Sequence, residues 1–161
     1  MKYKRGELWK RVVAQTQQAL DSGALHSLPT EFEFIEQAGI HFVVRMLANI
    51  ERKEQAKRAQ QLGTRGADFN LFLPYEEALY VTDLGSTHVC LLNKFNVFDH
   101  HLLIVTRQFE EQTELLNQSD FAALALCMDE FDGLAFYNGG TVAGASQRHK
   151  HLQYVPLPLA P

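Results

Sequence analysis

Two β-rich runs, THVCLLNKF and HHLLIVTRQF, are separated only by the tetrapeptide NVFD. A gap that short suits a tight turn between antiparallel strands, whereas a parallel crossover needs a dozen residues or more. The rest of the chain repeats this style of connection. ALYVTD follows the loop GTRGADFNLFLPYEE, and LAFYNGG and HKHLQYVPL read as two further strands. EFEFIEQ alternates Phe32 and Phe34 with acids, as a half-buried strand should, and IHFVVRML after the Ala38-Gly39 break completes a hairpin. Single helices fall between these pairs. Residues 6 to 21 place Leu8, Val12, Val13, Ala19 and Leu20 at helical spacing before a Ser22-Gly23 stop. ERKEQAKRAQQLG is polar and rich in helix formers. SDFAALALCMDEFDG reads as a helix with Ser119 as N-cap, a stripe of Phe121, Leu124, Ala125 and Met128, and Gly133 as its stop. Because βαβ alternation is weak, the predicted class is α+β, a mainly antiparallel sheet with flanking helices.

With 161 residues, the chain has the size of one domain. Residues 1–65 are read as an N-terminal helix and hairpin extension, and 66–161 as the core. The tail YVPLPLAP is stiff and extended, as linkers often are, which suggests a longer parent polypeptide.

The net charge of −4 hides an asymmetry: residues 1–65 carry eleven Lys/Arg against seven Asp/Glu, and residues 66–161 four against twelve. A nucleic-acid binder would show an overall basic balance and a basic stripe with interleaved aromatics, so the basic excess reads as a solvated helix face. No apolar run approaches the roughly 20 residues of a membrane helix, and MKYKRGELWKRV lacks the apolar core of a secretory signal. Cys90 and Cys127 sit in apolar surroundings without CxxC spacing and read as buried thiols of a reducing compartment. The expectation is a cytoplasmic protein with no nucleic-acid or membrane partner.

The chemistry concentrates in NGGTVAGASQRHKHLQ, Asn138 to Gln153. In a strand, His149, His151 and Gln153 would share a face with neighbours roughly 6.5–7 Å apart, while Lys150, Leu152 and Tyr154 face away. The glycines let backbone N–H groups approach an anion without an intervening Cβ, and Asn138 and Ser146 add uncharged donors. This inventory suits a phosphate group beside an imidazole able to attack phosphorus. Two other readings stand beside it. The HxH pair could hold zinc if His88, Asp99, His100 or His101 approached, or it could be ordinary strand packing. A P-loop is excluded, since no GxxxxGK[ST] occurs.

The pattern Asn138-x7-Ser146-x2-His149-x-His151-x-Gln153, with Gly144 inside it, resembles the active-site signature of the transferase branches of the histidine-triad superfamily. Those branches include galactose-1-phosphate uridylyltransferases and diadenosine tetraphosphate phosphorylases, also called ATP adenylyltransferases. LLNKFNVFDHHLLIVTRQFEEQ, DFAALALCMDEFDGLAFYNGG and AGASQRHKHLQ are similar to the phosphorylases, strongly from about residue 70 onward and loosely before. The resemblance implies a histidine-triad-like fold and phosphorolysis of diadenosine tetraphosphate to ATP and ADP. By position, His151 would be the nucleophile and His149 would line the pocket. Gln153 stands where the triad hydrolases have a third histidine. An amide cannot protonate a leaving group, which fits transfer to phosphate better than hydrolysis. Asn138, Gly144, Ser146 and Gln147 would hold the phosphate oxygens, Asn93, Phe95 and Asp99 the nucleoside, and Lys53 the polyphosphate. At the loop after Lys53 the chain departs from the family pattern, with Leu71 where proline is expected. One of His100 and His101 would face the pocket. No cofactor is required, and Mg2+ would serve only to neutralise polyphosphate. The alternatives are a uridylyl- or guanylyltransferase acting on a sugar phosphate and a catalytically silent nucleotide-binding module.

Overall fold

A computed structural model describes residues 6–47 and 70–160. Lys53 and the helix expected over ERKEQAKRAQQLG lie outside the described residues.

The first helix, α1 (Glu7–Asp21), buries Leu8, Val12, Thr16 and Ala19, a single stripe at helical spacing. Gly6 at its N-cap has no side chain to satisfy the first amides. The carboxylate of Glu130 does so instead, accepting from Gly6 N at 2.8 Å and Leu8 N at 3.0 Å. A hairpin follows, β1 (Thr30–Gln37) paired antiparallel with β2 (Ile40–Leu47). The expected half-burial does not occur. Phe32, Phe34, Ile35, Ile40, Phe42 and Val43 are all exposed, because no second layer among the described residues covers either face.

The core sheet comprises β3 (Tyr80–Leu84), β4 (His88–Leu92), β5 (Leu102–Thr106), β6 (Gly133–Phe136) and β7 (His151–Pro156). Its order is β3-β4-β5-β7-β6 and all four pairings are antiparallel, so the α+β expectation is met. α1 and a second helix, α2 (Gln118–Met128), cover one face. There Cys90, Leu92, Leu102, Ile104, Leu152 and Tyr154 meet Leu8, Val12 and Cys127 in the main core. Each such side chain contributes roughly 1.5–3 kcal/mol by leaving water. Both thiols are free and fully buried, and the neighbouring Cys127, together with burial, pushes the Cys90 thiol up, as expected of inert structural cysteines.

α2 differs from its expected form in three ways. Its N-cap is Asn117, two residues before Ser119, in a reciprocal capping box with Asp120. Its buried positions are Asp120, Ala123, Leu124 and Cys127, while Phe121, Ala125 and Met128 are exposed. The stripe is rotated because Asp120 turns inward to a buried ion pair with Lys150 Nζ at 2.7 Å and accepts from His88 Nε2 at 2.9 Å. Third, α2 stops at Met128, and Gly133 opens β6 instead, where its Cα lies against the Tyr154 ring. No described helix is long and apolar enough to cross a membrane.

Candidate active site

β7 pairs with β5 so that His151 opposes Val105 and Gln153 opposes Leu103. Strand alternation sends Leu152 and Tyr154 into the helix-covered core, as expected, and leaves His151 and Gln153 on the other face. That face has its own apolar floor of Phe72, Val89, Leu91, Leu103 and Val105. His149 is not part of the strand. It precedes β7 and forms an isolated bridge with Glu111, because the segment after Thr106 replaces β5 as its neighbour. The two imidazoles still share one environment, since the Phe72 ring lies edge-on to both, with centroids 5.7 Å from His149 and 5.3 Å from His151.

His151 Nδ1 is 2.8 Å from the main-chain oxygen of His149. A carbonyl can only accept, so Nδ1 carries the proton and the lone pair of the neutral ring is on Nε2. Burial lowers the His151 pKa, the bond to His149 O acts against that, and the neighbouring His149 lowers it further. The result is a neutral imidazole with its basic nitrogen free of protein partners among the described residues.

His149 is arranged differently. Its Nε2 donates to Gln108 O at 3.1 Å and lies 2.9 Å from Thr106 Oγ1. Its Nδ1 therefore accepts, from Asn70 Nδ2 at 3.0 Å. Asn70 Oδ1 in turn takes the Phe72 N–H at 2.9 Å, so the ring of His149 anchors the turn that carries Phe72. Burial lowers the His149 pKa as well, opposed by its backbone bonds.

Of the two histidines that sequence left unassigned, His101 is the one in the site. Its Nδ1 is 3.3 Å from Asn93 Nδ2, and its Nε2 is buried without a hydrogen-bond partner of ordinary geometry, with Gln153 and His151 beside it. Burial pushes its pKa down to about 4, against the opposing influence of Gln153. His100 points the other way, bonding Thr16 Oγ1 at 2.9 Å and packing edge-on against Trp9.

The glycine segment between β6 and β7 folds into a short 3-10 turn, Thr141–Ala143, flanked by Gly140 at φ 92° and Gly144 at φ 94°. Both angles are strained for any residue with a Cβ. A side chain on Gly144 would meet the Asn138 amide at 3.9 Å, so Asn138 lies across the mouth of this turn. Ser146 is exposed at its end and Gln147 is half-buried. Asn93 joins the site through His101. Phe95 stacks on His26 at 5.5 Å, and Asp99 lines a separate cavity of about 440 Å3 with Arg45, Asn96, Phe98 and His100. Sequence reading missed Asn70 and Phe72, which come from a loop far upstream. The Asn-x-Phe spacing that allows the turn was visible, but its target was not.

The family described as the Ap4A phosphorylase N-terminal domain matches residues 1–161. Protein APA1 of Saccharomyces cerevisiae is 30% identical over 154 residues, 87% of this chain and 46% of that protein. Diadenosine 5',5'''-P1,P4-tetraphosphate phosphorylase 2 of the same yeast is 39% identical over 98 residues, 53% of this chain and 30% of that protein. Among solved structures, yeast Ap4A phosphorylase Apa2 in complex with AMP aligns with a TM-score of 0.77 at 27% identity, covering 98% of this chain and 52% of its own. The same enzyme in complex with Ap4A aligns with a TM-score of 0.74 at 27% identity, covering 98% and 54%. The chain thus spans about half the length of these solved structures and less than half of the curated relatives. A profile match over the whole sequence, with the same fold beneath it, means that the chain belongs to the Ap4A phosphorylase N-terminal domain family.

Proposed function

We propose that this chain carries the nucleotidyl-transfer centre of a diadenosine tetraphosphate phosphorylase, with His151 as nucleophile. The observation that carries this reading is the His151 Nδ1 bond to His149 O, which leaves a neutral Nε2 lone pair on the sheet face opposite the helices. Nε2 attacks the α-phosphorus, a P–N bond forms, and the Pα–O bond to the departing ATP breaks. An oxygen of inorganic phosphate then attacks the same phosphorus, the P–N bond breaks, and ADP leaves with His151 regenerated. Substrate and phosphate are consumed one for one, giving ATP and ADP.

Gln153, Asn138, Ser146 and Gln147 are assigned to the phosphate oxygens, where uncharged donors stabilise developing charge, and Gly144 to the close approach of the turn, since the N–H groups of Ala143, Gly144 and Ala145 bond to Gly140 O and Thr141 O within it. Asn93 and Phe95 are assigned to the nucleoside and Lys53 to the polyphosphate, while Asp99 lines the separate cavity beside Arg45. His149 is assigned to hold the pocket wall, since both its nitrogens are engaged by protein. No resident cofactor enters these steps, and Mg2+ would travel with the polyphosphate. The reading is of a cytoplasmic enzyme of histidine-triad type. The test is product analysis with diadenosine tetraphosphate and phosphate: equal ATP and ADP support it. AMP with ATP would mean hydrolysis, and turnover confined to a UDP- or GDP-sugar would mean a sugar-phosphate transferase. Nucleotide binding without turnover of any of these would mean a silent module.

A further inference from the structure

β6 accompanies β7 only as far as the Phe136–Gln153 pair and then leaves into the glycine segment. At the fork, the outer edge of His151 loses its strand neighbour, and its main-chain N–H and C=O need other partners. The side chain of Gln112 supplies both. Its Oε1 accepts the His151 N–H at 2.7 Å, and its Nε2 donates to His151 O at 3.0 Å. The same Nε2 donates to Asn138 O at 2.9 Å. A carboxamide has the donor and acceptor of a peptide unit, so Gln112 completes the ladder where β6 departs.

Gln112 is itself fixed. It is only 2% exposed, its N–H donates to Arg148 O at 2.7 Å, and its carbonyl accepts the Tyr137 hydroxyl at 2.5 Å. This one amide therefore bonds the backbone of the proposed nucleophile and the backbone that starts the glycine turn, two segments that diverge where the β6–β7 ladder ends. It touches neither imidazole nitrogen. We propose that Gln112 is the positioning residue that sets His151 against the phosphate-holding turn, an inference that rests on His151 being the nucleophile. In-line attack tolerates little misplacement, and about 1 Å of error costs on the order of 100-fold in rate.

The test uses Gln112→Glu and Gln112→Asn. The glutamate keeps the acceptor for His151 N–H but turns an oxygen toward two carbonyls. The asparagine keeps the amide but is one methylene too short to reach every partner. Single-turnover nucleotidylation is measured with diadenosine tetraphosphate, its rate constant taken per labelled site so that an unfolded fraction does not enter. The expected result is a rate about 100-fold lower in both variants, with AMP affinity within about threefold of wild type. For Gln112→Glu, the rate recovers toward lower pH as the acid regains a proton to donate. A rate within twofold of wild type in either variant, or an equal loss of rate and AMP affinity, overturns the positioning role. Hydrogen exchange of the His151 amide, followed without nucleotide, separates this inference from the functional reading. If wild type forms no nucleotidyl adduct, the nucleophile reading fails. The positioning contact still stands if that amide exchanges faster in Gln112→Asn, and falls if it does not.

Discussion

The Nδ1 of His151 lies 2.8 Å from the carbonyl oxygen of His149, so the backbone of one histidine selects the tautomer of the other. No side-chain substitution at position 149 removes that acceptor. Phe72 completes the arrangement by excluding water from both rings.

The pH dependence of nucleotidylation follows from this burial. His151 titrates below its ordinary value of 6.5, so its neutral form persists as pH falls past that point. Single-turnover labelling is expected to stay level from pH 8 to pH 6.5 and to decline only below it. Phe72→Ala opens the wall, moves the decline to higher pH and costs about 3–5 kcal/mol of stability. A pH–rate profile of both proteins checks the direction.

His101 makes the fold sensitive to acid. Folded, it takes a proton only near pH 4, and unfolded near 6.5. Between those values the unfolded state binds more protons, so stability is full above 6.5 and is lost as pH falls toward 4. From pH 7 to pH 4.5 this one group accounts for about 2–3 kcal/mol. His149 and His151, also lowered, add to the slope in the same sense. Urea unfolding at the two pH values should show a smaller difference for His101→Gln than for wild type.

The Lys150–Asp120 pair is a second stability device, set directly behind the two site histidines. Lys150 Nζ bonds Asp120, Glu110 at 3.1 Å and Leu115 O at 3.0 Å, and is 1% exposed. Burial pushes the Asp120 carboxyl up, but bonds from Lys150, the Asn117 N–H and His88 together hold it below the usual range. Asp120→Asn leaves the buried ammonium with only the partly exposed Glu110 carboxylate and should cost about 3 kcal/mol, while adding Lys150→Met should recover much of the loss. Thermal unfolding of the single and double variants measures it.

Gly140 should resist substitution. At φ 92° a Cβ is strained, and it would lie 2.8 Å from Thr113 Cγ2. Gly140→Ala is expected to lose about 1–3 kcal/mol and to slow nucleotidylation by displacing the turn. Thr113→Ser in the same chain removes the clash but not the strain, so unfolding measurements should show partial recovery.

What could be read in the sequence was local. The NVFD spacing identified the β4–β5 pair, and the glycines and HxH spacing of residues 138–153 marked the site, because those residue types carry their chemistry with them. The contacts that complete the site come from distant segments: Phe72 and Asn70 from the loop before β3, and Gln112 from the exit of β5. The choice between His100 and His101 was illegible because it turns on a backbone detail. His100 adopts φ 56°, which ends the turn and delays β5 to Leu102. The misplaced stripe of α2 has a similar cause, since a helical periodicity count treats Asp120 as a surface residue when its partner Lys150 is unknown.

The central claim is that His151 forms a covalent nucleotidyl intermediate. Incubating the protein with diadenosine tetraphosphate labelled at the α-phosphorus should leave an acid-labile, base-stable label that maps to His151, is absent in His151→Asn and persists in His149→Asn. No label on active wild-type protein, or a label retained in His151→Asn, would contradict it.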